Sequence, residues 1–307
     1  MSTMNSAQFK EAVAPLLIDI MDGVGRETPV DWTKIFRTET GPARKFFEAA
    51  VYFGFGLASQ KGEGARIARD EGGTARTGQF FYTRWGTSFG ITEDLQDDAD
   101  MLDIVSRFSR WLMRAMMETR EVVHVDVLNR AANSAYAGMD GVSLFNASHP
   151  LAYGGTYDNT FANPTDPSHA AIDTMLVRML RAPNERGLPR AVQAKRIICA
   201  PEQYRPLIEI LQSEKRAGTA NNNINSLKVS GDIEEAWPVQ LRRLTSSTWW
   251  AIQSDVDDGL THVDHPKGKL KRAAEGDFET GDGRWKASER YWAGWKDSQC
   301  LWGQTGT

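Results

Sequence analysis

DDADMLDIVSRFSRWLMRAMMETREVVHVDVLNRAANSAYA, residues 97–137, running into GMDGVSLFNASHPL, residues 138–151, is the stretch whose reading decides the fold. Met101, Ile104, Val105, Phe108, Trp111, Leu112, Ala115, Met116, Val123, Val127, Leu128, Ala131 and Ala135 recur at three- and four-residue steps, with Asp103, Arg107, Arg110, Arg114, Glu118 and Arg130 between them. That spacing predicts one amphipathic helix over 97–137. Asp97, Asp98, Asp100 and Asp103 crowd its start, where the helix dipole favours negative charge, and Gly138 stands where a left-handed cap is expected. At about 1.5 Å per residue such a helix reaches about 60 Å, against a mean of about 11–12 residues per helix. It reads as a spine. Its weakest point is Val122–Val127, where β-branched residues lose side-chain freedom and a bend is expected.

Upstream, residues 1–45 carry an expected amphipathic helix over Ser6–Met21, then a stretch broken by Pro and Gly, with Trp32, Ile35 and Phe36 as isolated apolar anchors. This is the pattern of an arm. Phe47, Ala49, Val51, Phe53, Phe55 and Leu57 then alternate with Glu48, Tyr52, Gly54 and Gly56, the period-two mark of a strand. A second strand is expected over 79–89, with Phe81, Thr83, Trp85, Thr87 and Phe89 on one face. SQKGEGARIARDEGGTARTG, residues 59–78, lies between them with almost nothing to bury, and reads as a projecting hairpin tip. Its Lys61, Arg66, Arg69 and Arg76 stand among Glu63, Asp70 and Glu71, a mixed set suited to meeting a neighbouring subunit through opposite charges.

Downstream of the spine, 152–168 is a linker rich in Asn, Gly, Pro and Thr. An α/β module is expected next: a helix from about Ser168 to Leu180, a strand Arg196–Ala200, a helix from Pro201 to about Lys215, and strands Val239–Leu244 and Trp249–Gln253. Within it AGTANNNINS, residues 217–226, is too rich in Asn and Gly to propagate a helix. The stretch 276–303 concentrates Trp285, Tyr291, Trp292, Trp295 and Trp302, aromatics of the kind that hold cores and interfaces together.

The 36 Lys and Arg against 40 Asp and Glu give a formal charge of -4, which disfavours a tight phosphate-gripping surface. No run approaches the ~20 apolar residues of a membrane span, and the beginning lacks the order of a secretion signal, so a soluble intracellular protein without membrane contact is expected. Cys199 and Cys300, far apart in sequence, suit buried reduced thiols. The chemistry-bearing residues lead to no enzyme class. His262, Asp264 and His265 offer a metal site with poor spacing and no third anchor, and His124 and Asp126 face different sides of a helix. His149 has no nucleophile motif beside it, and Gly54-Phe55-Gly56 and Gly62-Glu63-Gly64 do not open helices as phosphate loops do. No catalytic residue, cofactor or metal is expected.

Asp140-Gly141-Val142-Ser143-Leu144-Phe145 with His149-Pro150 after the spine, and the ending Arg290-Tyr291-Trp292-Ala293-Gly294-Trp295-Lys296-Asp297, resemble tailed-phage major capsid proteins of the Hong Kong 97-type fold, and most nearly the Mu-like phage major head subunits. The resemblance implies an α+β chain divided into an amino-terminal arm (1–45), an extended loop (46–91), a peripheral domain with the spine (92–167), an axial domain (168–255) and a return to the peripheral domain (256–307). It also implies hexamers and pentamers closing an icosahedral shell around double-stranded DNA, as a virion capsid assembled in the host cytoplasm. Portal, scaffold and decoration proteins would be its other partners. The extended loop would lie over an adjacent subunit, making Lys61, Glu63, Arg66, Arg69, Asp70, Glu71 and Arg76 interface residues, with Asn221, Asn222 and Asn223 near the capsomer axis. The alternatives are a cellular nanocompartment shell of the encapsulin type and, in another class, a metal-dependent enzyme using His262, Asp264 and His265.

Overall fold

The computed structural model describes residues 30–64, 66–92, 94–95, 101–216, 223–268, 271–276 and 282–306. The expected Ser6–Met21 helix, Asp97, Asp98 and Asp100, and Asn221 and Asn222 lie outside them.

The spine helix is Met101–Asn129, unbroken through Val122–Val127. Val125, Val127 and Leu128 are buried there in a core cluster with Trp32, Leu144 and Trp249, and tertiary packing of this kind outweighs the weak helix propensity of β-branched residues. It ends eight residues sooner than the spacing predicts. The Asn129 side chain donates to the Arg243 carbonyl at 3.2 Å and accepts from the Thr245 amide at 3.0 Å, and the Asn133 side chain accepts from the Ala135 amide at 2.9 Å. Such local side-chain bonds offer the backbone an alternative to the helical ladder. Gly138 is not the left-handed cap: a Cβ there would lie 2.7 Å from Trp295 Nε1, so the residue is small to admit that indole, and the positive φ (80°) belongs to Gly141. The apolar stripe is also rotated from the expected one. Val105, Leu112, Met113 and Met116 face inward, whereas Phe108, Trp111 and Ala115 face out.

Two sheets flank the spine. In the first, the long strand Gly283–Trp295 pairs antiparallel with Thr83–Ile91 along one edge, and with Lys271–Gly276 and Leu260–Asp264 along the other; Arg37–Thr40 adds a parallel edge to Leu260–Asp264. Trp285, Ala287, Glu289 and Tyr291 alternate to its buried face, where Trp285 meets Val105 and Ala287 meets Leu112, Met113 and Met116 of the spine. The second sheet orders Leu301–Gln304, Trp250–Ser254, Ala194–Cys199 and Val239–Gln240. Ile198, Ala251 and Leu301 face the cluster that holds the spine's end, whereas Ile197, Trp250, Ile252 and Trp302 pack on Ile172, Met175 and Met179 of the helix His169–Leu180. Both faces are covered, so its strands read as continuous apolar runs rather than alternations. Its last strand comes from the chain's end, within the stretch that the sequence reading returns to the peripheral part.

The hairpin strands are Phe46–Phe53 and Gly73–Phe81, so the tip spans 54–72 rather than 59–78. What read as one strand over 79–89 is divided at Tyr82, which is buried between Phe47 and His265, and Thr83–Ile91 belongs to the first sheet instead. Trp32, Ile35 and Phe36 are core residues rather than isolated anchors, and a short helix Ser226–Ser230 escaped the sequence reading.

Candidate assembly interface

The hairpin has a fastened base and a bare tip. Arg76 lies against the Glu185 carboxylate at 3.1 Å, both side chains largely buried, and also donates to the Pro150 carbonyl. Arg186 grips the entry to the same arm, with both Asp70 oxygens within 3.0 Å of its Nη1 and its Nη2 on the Glu71 carbonyl, while its guanidinium lies over the rings of Phe53, on the opposite arm, and Tyr153. The Gly56 amide, 2.6 Å from Asp70, does most to hold that carboxyl below its usual range, and Arg186 adds to it. Asp70 and Arg76, expected to face a neighbour, thus have partners in their own chain. Arg186, in the turn Asn184–Gly187, is the clamp that sequence reasoning missed, since nothing in PNERGLP points across to residue 70.

Beyond the clamp nothing is covered. Lys61, Glu63 and Arg66 are exposed and have no ion-pair partner among the described residues, while Arg69 and Glu71 approach only to 3.8 Å in the open. Such exposed pairs contribute about 0–1 kcal/mol. Phe55, Leu57 and Ile67 are 69%, 83% and 80% exposed, and Tyr52 beside them is exposed as well. Clustered apolar exposure of this kind marks an interaction surface, and the emphasis on charge passed over it. Asn223 is exposed, its carbonyl accepting from the Arg216 amide.

Two buried polar junctions hold the platform from which the hairpin projects. At the spine exit, Asp140 accepts from His149 Nδ1 at 2.6 Å and from Ser298 at 3.1 Å, and His149 Nε2 meets Asn159 Oδ1 at 3.1 Å. Asn159 in turn donates to the carbonyls of Leu144, Ser298 and Leu301. Burial pushes the Asp140 carboxyl up, but the hydrogen bonds and charge of His149, with Val142 and Ser298, hold it below its usual value. His149 is therefore a structural tie between the spine exit and the last strand. A cavity of about 610 Å³ opens beside it, walled by Arg76, Asp140, Glu185, Arg190 and Ser298 among others.

The second junction is in the last third of the spine. Glu121 accepts from the amides of Asp31 and Trp32, and Trp32 stacks on His124 at 4.1 Å. His124 donates from Nδ1 to the Arg120 carbonyl at 2.6 Å, so its Nε2 accepts from His262 Nδ1 at 2.9 Å. Burial, with the charge of His262 added, drives the His124 pKa down to about 3 against the help of that carbonyl, so the ring is neutral. Burial likewise raises Glu289, which Arg120 Nε opposes from 2.6 Å. His262 and Asp264, two apart on a strand, share a face and bond at 3.0 Å, whereas His265 turns to Tyr82 on the other. The three do not converge. Among the described residues no group of three or more His, Cys, Asp or Glu is placed to hold a metal ion, and no helix is long and apolar enough to cross a membrane. Cys199 and Cys300 are free and buried.

A family model described as phage capsid protein matches residues 82–302, from the strand Thr83–Ile91 into the strand Leu301–Gln304. The chain belongs to the phage capsid protein family. Solved structures agree on the fold. The mature capsid of bacteriophage PhiM1 matches with a TM-score of 0.56 at 10% identity, over 90% of this chain and 86% of that one. The capsid of an empty GTA particle gives 0.51 at 14% identity, over 89% and 88%. The holo-SrpI encapsulin complex from Synechococcus elongatus PCC 7942 gives 0.51 at 9% identity, over 91% and 88%. No curated protein matches in sequence. This phage capsid protein thus has the Hong Kong 97-type α+β fold that its spine and hairpin lead one to expect, and the structures named here do not single out the Mu-like subunits within it.

Proposed function

We propose that this phage capsid protein is the major head subunit, associating as pentamers and hexamers into an icosahedral shell around double-stranded DNA, and that the hairpin tip 54–72 seats on a neighbouring copy. The observation that carries this reading is the contrast within the hairpin: a base fastened by Arg76 and Arg186, and a tip with Phe55, Leu57 and Ile67 in the open. A monomer has no use for a rigidly aimed apolar tip, whereas a subunit that recurs around a shell buries it at every contact. In this reading Lys61, Glu63, Arg66, Arg69 and Glu71 set register at the rim of that contact, and Asp70 and Arg76 aim it. Residues 168–255 make up the axial part, with Asn221, Asn222 and Asn223 near the capsomer axis. The peripheral part comes from 92–167 and 256–307. Portal and scaffold proteins are its further partners, the host cytoplasm its place of assembly, and no catalytic role is assigned. The near-neutral charge fits a wall that confines DNA mechanically.

The encapsulin likeness favours one other reading, a nanocompartment that holds protein instead of a genome. Electron microscopy of the expressed chain, with nucleic-acid analysis of particles from its native source, separates the two. Shells with nuclease-protected double-stranded DNA are expected; shells holding only a protein cargo would favour the nanocompartment, and absence of shells would remove both.

A further inference from the structure

The spine carries an outward stripe that the described chain leaves largely open, with only Phe89 against Phe108 at its start. Phe108, Trp111, Ala115 and Val122 lie along it at three-, four- and seven-residue steps, and Trp111 is 58% exposed with Phe108 edge-on beside it. Arg107, Arg110 and Arg114 line the same side. Arg107 pairs with Asp103, but Arg110 and Arg114 have no ion-pair partner among the described residues. An exposed tryptophan between arginines is the composition of a protein-binding hot spot.

We infer that the occupant is the amino-terminal segment of the same chain, its apolar positions Phe9, Val13, Leu16, Leu17 and Ile20 covering this stripe. Four observations support it. Those residues recur at three- and four-residue steps on both sides of Pro15, and sixteen residues at about 1.5 Å each would span about 24 Å, enough for the run of about 21 Å from Phe108 to Val122. Glu11, Asp19 and Asp22 of the segment offer carboxylates to Arg110 and Arg114. The described chain begins at Val30, and the next two amides, of Asp31 and Trp32, are fastened to Glu121 on this very helix. Glu121 is ten residues, about 15 Å, from Trp111, and the eight residues 22–29 reach up to about 28 Å. The inference concerns the subunit itself and stands whether the shell encloses DNA or protein.

The test uses full-length chains with Leu17→Cys and Ala115→Cys together, since Cys199 and Cys300 are buried and out of reach. Mild oxidation should give an intramolecular disulfide, seen as a faster-migrating monomer lost on reduction, and Lys10→Cys with Ala115→Cys should cross-link much less. Links only between copies, or equal yields from both pairs, would overturn the inference. Hydroxyl-radical labelling of Trp111 gives a second reading in the full chain. It should be low in the unmodified protein and rise several-fold in Leu16→Asp/Leu17→Asp, with electron microscopy reporting shell formation separately. Protection unchanged in that variant means that DNA or another subunit covers the stripe, and strong labelling of the unmodified chain means that nothing does; either result overturns it.

Discussion

The spine exit and the hairpin tip are both loops between regular elements, and they are built in opposite ways. The exit, 138–159, turns its polar groups inward, so that Asp140, His149 and Asn159 satisfy one another and the carbonyls of Leu144, Ser298 and Leu301. The tip, 54–72, is fastened only at its base and leaves its apolar groups outside. The first costs stability when disturbed, because buried charged partners are lost together. The second costs almost none, because its side chains meet water in the isolated subunit. Effects on folding and effects on assembly should therefore separate cleanly between the two.

The largest effect is expected at the exit. Asp140→Ala leaves His149 buried without its carboxylate and should destabilise the subunit by about 3–5 kcal/mol, measured by urea unfolding. A loss no greater than that of an exposed substitution would put the exit in the same class as the tip. His124 gives the next largest effect, through pH. Its folded pKa of about 3 lies below the ordinary value of 6.5, so the unfolded chain binds the proton first, and stability falls as pH drops from about 6.5 toward 3. The unfolding free energy of His124→Gln should slope less steeply over that window. Equal slopes would mean that the buried ring does not contribute.

The two loops also differ in how legible they were. Tip and spine follow from local patterns, an over-long stretch with nothing to bury and a helical period, and both were readable from residues alone. The exit carries residues of the family resemblance, yet its pairing is not legible in the sequence, because Asp140, His149 and Ser298 are joined only by the folded chain. The same holds for Arg186 on Asp70 and for the Trp32–His124 stack. Helix ends failed for a related reason: Asn129 stops the spine through Arg243 and Thr245, over a hundred residues away. The outward turn of Phe108 and Trp111 was missed because an apolar period fixes a stripe's width better than its direction.

At the hairpin base the expected effect on stability is small. Arg186→Ala removes the tie to Asp70 and to the Glu71 carbonyl, so limited proteolysis within 59–72 should speed up as the tip loses its aim. Unchanged cleavage would show that Arg76 alone holds the base.

The smallest effect on folding belongs to the tip, and it carries the central claim. Phe55→Ser, Leu57→Ser and Ile67→Ser combined should leave urea unfolding within about 0.5 kcal/mol of the unmodified chain, while shell yield, counted by electron microscopy of the same preparation, collapses. A full yield of shells from a stably folded triple variant would contradict the account.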